Sequence, residues 1–177
     1  MDILEKVLIL IWLVLPAYVA NGAPVVGIKI LDKLGYRRHP IDRGKHLFDG
    51  ERIFGDNKTW EGFLIGIASG TLAGVVQQLL GDFDYIYIAR GVVLSIGAMV
   101  GDLLGAFIKR RLGIKPGDPL PFIDQTSFLY VALLVALPLN LLNISFIDFS
   151  ILTIVTVFLH VLTNFVAYKL KLKHVPW

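Results

Sequence analysis

Apolar residues in this chain are gathered into five long blocks, over residues 7–28, 62–81, 91–108, 126–147 and 149–168. Each approaches the roughly 20 residues that a helix needs to cross the hydrocarbon core of a bilayer. Four blocks hold no charged residue, and the third holds one, Asp102. The pattern predicts an all-α integral membrane protein, a bundle of five transmembrane helices forming one membrane domain over residues 1–177. Two long polar connections, about 29–61 and 109–125, alternate with two short ones. The first block runs on through Pro16, Asn21 and Pro24 without a convincing cleavage site, so it reads as a retained span and not as a signal peptide. Gln77, Gln78, Ser95, Asn140, Asn143, His160 and Asn164 within or beside the blocks predict helices packed on one another, not isolated in lipid. The isolated His160 reads as a packed bundle residue, and the Gly66–Gly70–Gly74 spacing as close helix contact. Glycine-rich faces of this kind also suit a homodimer.

Composition agrees with the pattern: 55% of the 177 residues are hydrophobic and 18% charged, which excludes an ordinary soluble domain. There is no cysteine, so disulfides and thiolate metal sites are excluded as well. The placement of charge says more than its net value of +3. Residues 29–60 hold eight cations, residues 109–124 four and the C-terminal tail three (Lys169, Lys171, Lys173), fifteen of the seventeen in all. The opposite connections carry Asp82, Asp84, Arg90 and Asp148. The positive-inside rule then predicts a multi-pass protein of the cell membrane with its N-terminus outside and its C-terminus cytoplasmic. Both long loops face the cytoplasm, where nucleotides are. These cations flank spans, which assigns them to the membrane and to phosphate, with no nucleic acid as partner.

Asp102 is costly at its depth, and intramembrane carboxylates usually face a polar cavity with a partner. Beyond it come Lys109-Arg110-Arg111, then Lys115, Asp118 and Asp124. On a continuing helix Asp102 and Lys109 share a face, with Gly105 between them leaving it open. Pro116, Gly117, Pro119 and Pro121 forbid a helix and turn the chain back, which brings Asp124 towards Asp102. Two carboxylates meeting there would repel unless one protonates or a divalent ion binds. Oxygen-only ligands point to magnesium (Mg2+), held by Asp102 and Asp124 with substrate phosphates completing its shell.

The first loop ends Phe54-Gly55-Asp56-Asn57-Lys58-Thr59-Trp60-Glu61-Gly62 at the start of the second span. Asp56 or Asn57 reads as the helix cap. Free N–H groups of a helix start, with Lys58 and Thr59 beside them, suit phosphate; a cap with Trp60 as interfacial anchor is the plainer reading. Upstream, Arg43, Lys45 and Arg52 read either as phosphate contacts on a lid or as a solvated loop near anionic lipid.

Lys58-Thr59-Trp60-Glu61-Gly62 resembles the Lys-Thr-x-Glu-Gly element of the CDP-diacylglycerol synthases. Gly101-Asp102, Lys109-Arg110, Lys115 with a displaced Asp118, Pro121 and Asp124 resemble that family's second signature. The family's His-Gly-Gly stretch is missing, and Gln125 and Ser127 stand where it has Arg and a final Asp. The short five-span form is similar to the archaeal branch, the CDP-archaeol synthases. The resemblance implies CTP and an isoprenoid ether glycerophosphate lipid as substrates, with CDP-lipid and pyrophosphate as products. It implies Asp102, Asp124, Lys58 and Lys109 as catalytic residues. It also implies Asn57, Lys58, Thr59, Glu61, Lys109, Arg110, Lys115 and Asp118 as substrate contacts. The attacking group, a phosphate monoester, is largely dianionic at neutral pH because its second pKa is about 6, so no general base is required. A CTP-dependent polyprenol kinase, a bacterial-type phosphatidate cytidylyltransferase and a small proton-coupled carrier are the competing readings.

Overall fold

The computed structural model describes residues 2–81, 85–172 and 175, so the predicted positions of Asp82, Asp84 and Lys173 lie outside the described residues. All regular elements among these are helical. They are α1 (Ile3–Lys33), α2 (Trp60–Leu80), α3 (Ile86–Arg111), α4 (Ile123–Ala136) and α5 (Phe146–Lys169). Four are long and apolar enough to cross a membrane. The exception is α4, where the sequence predicts a span over 126–147. Its 14 residues run into a short 3-10 turn, Leu137–Leu139, and the helix stops there. Pro138 lies in that turn, where it cannot supply the amide a continuing helix would need. Asn140 follows in the left-handed conformation at φ 55° and reverses the chain. The last helix begins at Phe146, ahead of the predicted 149. Ser145 caps it reciprocally with Asp148, a residue the hydropathy pattern places in the connection.

Two seams of small residues draw the helices together. A Cβ on Gly70 would lie 2.2 Å from Ser95 Oγ and 2.5 Å from the Pro16 carbonyl oxygen, so α2 touches α1 and α3 almost backbone to backbone. Gly66 and Gly74 repeat this one turn to either side. On α3, Gly97 and Gly101 do the same against Ala132 and Ser127–Phe128 of α4. The predicted packing role of Gly66–Gly70–Gly74 therefore holds, but the contact is within one chain, which removes the reason to read that stripe as a dimer face. Leu94, Ala98, Leu129, Ala132 and Leu133 fill the centre with Val14 and Ala17. Helix α5 packs on α4 and α1 only. Lys6 at the start of α1 meets Asp148 at the start of α5 at 2.7 Å, so these two ends share one end of the bundle.

At the other end, residues 34–59 form a folded strap organised by Asp42, whose side chain has no solvent exposure. Its carboxylate accepts from the Arg52 guanidinium and from the backbone N–H of Gly44, Phe54 and Gly55. Burial alone would push this carboxyl up; Arg52 and then the three amides reverse that and hold it well below the usual carboxylate range. Single antiparallel bridges, Pro40 with Thr59 and His46 with Arg52, complete the strap.

A group whose folded pKa is depressed stabilises above its unfolded value, about 3.9 for Asp, and loses that contribution only as pH falls through the lower folded value. The strap should therefore keep its shape from neutrality down to about pH 5. Asp42→Asn should raise trypsin cleavage at Arg43 and Lys45 about tenfold at neutral pH, since a charge-assisted set of bonds is lost. Unchanged cleavage would show that the strap does not depend on this carboxylate.

Candidate active site

The strap is fastened to the end of α3 by Arg111. Its Nη2 donates to the carbonyls of Arg52 (2.6 Å) and Glu51 (3.3 Å), and its Nη1 pairs with Asp49 at 3.2 Å. Phe54 packs near Phe107, with ring centroids 6.5 Å apart. Gly55, at φ 98° where a side chain would be strained, turns the chain closely over Pro116 and the Arg110 guanidinium. Thr59, and not Asp56 or Asn57, caps α2: its hydroxyl accepts from the Gly62 N–H at 3.2 Å. Thr59 is also bridged to Pro40, and the Lys58 carbonyl accepts from Ile41 N–H at 2.9 Å. The backbone on both sides of Lys58 is thus fixed, and its side chain is aimed at α3.

Lys58 Nζ lies 2.7 Å from both oxygens of Asp102. Seven residues on along the same face of α3, Lys109 Nζ lies 3.0 and 2.8 Å from the oxygens of Asp124. Asp124 also accepts from the Leu120 N–H at 2.8 Å, so the proline-rich return is closed on this carboxylate. Each predicted carboxylate is thus met by a lysine, where the sequence reading had the two carboxylates meeting one another. Both are about 30% exposed. Next to them Arg110 is only 3% exposed, and its Nε and Nη1 have no hydrogen-bond acceptor among the described residues. A buried guanidinium with unused donors is costly, and an anion is what would satisfy it.

The remaining predicted residues are placed differently. Arg52 is engaged by Asp42 and by Asp56 at 2.8 Å, within the strap. Glu61 holds His39 through its N–H (3.1 Å) and its Nδ1 (2.6 Å). Asn57, Arg43, Lys45, Lys115 and Asp118 are exposed around the site. Ser127 lies against the glycines flanking Asp102: a Cβ on Gly105 would be 2.9 Å from its hydroxyl. A hydroxyl there adds no negative charge beside Asp102. His160 is half-buried on α5, with Nδ1 3.2 Å from Asn164 Nδ2, and lines a small cavity that Asp124 also borders. Asp42 and Arg111 are organising residues that the sequence reading missed. The Asp42-Arg43-Gly44 run, a side-chain turn signal, was the available clue to Asp42.

Among the described residues no three of His, Asp and Glu gather into a ready-made ion cage. Two part-exposed carboxylates, Asp102 and Asp124, nevertheless fit magnesium, which takes few protein ligands and completes its shell with water and phosphate. The lysines that now neutralise them are the groups that phosphates could draw away.

The sequence model of the family described as CarS-like, CDP-archaeol synthase, matches residues 3–177. A CDP-archaeol synthase of Pyrococcus furiosus is 46% identical over 169 residues, covering 94% of this chain and 95% of that one. One from Pyrobaculum calidifontis is 42% identical over the whole of both chains. A solved structure, described as an intramembrane enzyme for archaeal membrane lipid biosynthesis, superposes with a TM-score of 0.78 at 37% identity, covering 92% of this chain and 94% of that one. With the family's sequence pattern over its length and an intramembrane enzyme's fold, this chain belongs to the CDP-archaeol synthase family.

Proposed function

We propose that the chain transfers CMP from CTP to an isoprenoid ether glycerophosphate, giving a CDP-archaeol-type lipid and pyrophosphate. The observation that carries this reading is the buried Arg110 guanidinium, with two donors unused, beside the Lys58–Asp102 and Lys109–Asp124 pairs. One unsatisfied buried cation next to two exchangeable ion pairs is a site prepared for a polyanion.

In the reaction a lipid phosphate oxygen attacks the α-phosphorus of CTP, and the bond from that phosphorus to the bridging oxygen breaks as pyrophosphate departs. Lys58 and Lys109 leave their carboxylates for phosphate oxygens, and Arg110 takes charge developing on the leaving group. Magnesium held by Asp102 and Asp124 would supply charge neutralisation at the phosphates. The dianionic lipid phosphate needs no base, and the chain's task is in-line positioning and charge compensation. The excess of cations around this end of the bundle supports a cytoplasmic site with the N-terminus outside. The synthase relatives do not favour the polyprenol kinase or the bacterial-type enzyme.

Incubation with CTP, Mg2+ and the ether glycerophosphate should release pyrophosphate in step with CDP-lipid, and in sealed vesicles added CTP should be used only when these are inside-out. Release of CDP with phosphorylated lipid would instead make the chain a kinase. Lys58→Ala should lower kcat/KM for CTP by about 1.5–3 kcal/mol of transition-state binding, roughly ten- to a hundredfold, without reducing the yield of folded protein. Near-normal efficiency would leave Lys58 as a partner of Asp102 alone.

A further inference from the structure

We propose that the turn at residues 47–50, the tip of the strap, is a membrane-interface anchor, with the Phe48 ring set among lipid headgroups and the first carbons of their chains. This adds a binding surface outside the active site and does not depend on the reaction. Phe48 is 99% exposed, more than any other large hydrophobic residue among those described. A phenyl ring wholly in water is unfavourable, and the folded strap holds it there firmly. The Gly50 N–H donates to the Leu47 carbonyl at 3.0 Å, and the Leu47 N–H to the Glu51 carbonyl at 3.0 Å. The Ile53 N–H donates to the Lys45 carbonyl at 3.1 Å, which closes the base of the turn. Gly50, at φ 79°, supplies its left-handed step. The ring is therefore presented by a framed turn.

Depth follows from the contacts with α3. Phe54 packs near Phe107, and Asp49 meets Arg111 about one helical turn, or about 6 Å, further along. The strap thus runs beside the last turn of α3 and does not stand off beyond its end. Lys109, Arg110 and Arg111 are the basic residues of that turn, the mark of a helix leaving hydrocarbon for headgroups. Arg111 also adjoins the line of Leu104, Ile108 and Leu112, all exposed apolar residues that α3 turns to the bilayer. Phe48 precedes Asp49 directly, which puts it at headgroup level beside that line.

The chemistry of the tip suits lipid. Aromatic rings are favoured at this depth, and Trp60, 45% exposed at the start of α2, is a second ring at the same end of the bundle. Arg43 and Lys45, both exposed on the strap, supply cations for lipid phosphates. Asp49, the one acid in the turn, is engaged by Arg111 and so does not oppose them. The strap is then held at its base by the protein and at its tip by the bilayer.

The chain has no cysteine, so Phe48→Cys can carry a single environment-sensitive fluorophore on the full-length protein. The protein is placed in nanodiscs of diphytanoyl phosphatidylcholine and phosphatidylglycerol, with nitroxide-bearing lipid as membrane quencher and iodide as aqueous quencher. Leu112→Cys, on the bilayer-facing line, and Asp56→Cys, whose native side chain is 74% exposed on the strap, serve as references. Nitroxide lipid should quench the label at 48 as it does at 112, and at least about threefold more strongly than at 56. Without a label, Phe48→Asp should speed trypsin cleavage at Lys45 several-fold in nanodiscs, while Phe48→Trp should leave it slow. Iodide quenching at 48 equal to that at 56, with nitroxide lipid inert, would overturn the proposal, as would equal cleavage of all three proteins. Protection at 48 that arises only when CTP is added would also overturn it, and would make the tip a lid over the nucleotide.

Discussion

Asp102 lies inside a membrane helix, where insertion scales put an exposed carboxylate at about 2.5–3.5 kcal/mol, and both its oxygens are met by Lys58 at 2.7 Å. Most of the loop architecture at this end of the bundle is explained by that contact. Lys58 reaches α3 only because Thr59 starts α2 immediately after it and Ile41 pairs with its carbonyl. The strap that supplies Ile41 keeps its shape through Asp42, and Arg111 fastens that strap to the same helix that carries Asp102. The second pair, Lys109 with Asp124, extends the row of charge along the face and pulls the proline-rich return down on it.

The close approach of the helices is what lets these charges share one small volume. Gly66, Gly70 and Gly74 bring α2 against α1 and α3, while Gly97 and Gly101 bring α4 against α3 just where Asp102 begins. A side chain at Gly101 would strike the backbone of Ser127 and Phe128, on the same helix that carries Asp124. The glycines thus act at the site through spacing. Two lysines offset two aspartates, and the buried Arg110, with Glu51 and Asp118 in electrostatic reach, adds a further cation beside Asp124. Such a centre is neutral enough to sit in a membrane helix bundle, and its remaining positive charge would favour a phosphate chain.

The spans were legible in the sequence because uncharged runs of such length have few other uses, and Asp102 stood out by interrupting one. The break after Ala136 was not, since Pro138 and Asn140 sit in an apolar context that hydropathy alone reads as continuous. Within the site, Asp102 and Asp124 stand out by their positions in the sequence, whereas Lys58 and Lys109 enter through the family resemblance, and the pairing of lysine with aspartate is legible in neither. Which lysine meets which aspartate depends on how the strap crosses α3, a long-range matter set by Asp42 and Arg111. Arg52 has two readings in the sequence, phosphate contact or solvated loop, and Glu61 enters as a substrate contact through the resemblance; in the structure Asp42 holds Arg52 and His39 meets Glu61.

On the reading proposed above, Asp102 and Asp124 would act as one unit that exchanges its lysines for a divalent ion when the nucleotide arrives. Titration of Mn2+ into wild type, Asp102→Asn, Asp124→Asn and the double variant, each with CTP present and followed by electron paramagnetic resonance, tests it directly. Both single variants should lose protein-bound Mn2+, and the double variant should be scarcely weaker than either, because the two carboxylates act together. Near-wild-type Mn2+ affinity in either single variant, or losses that simply add, would contradict the account.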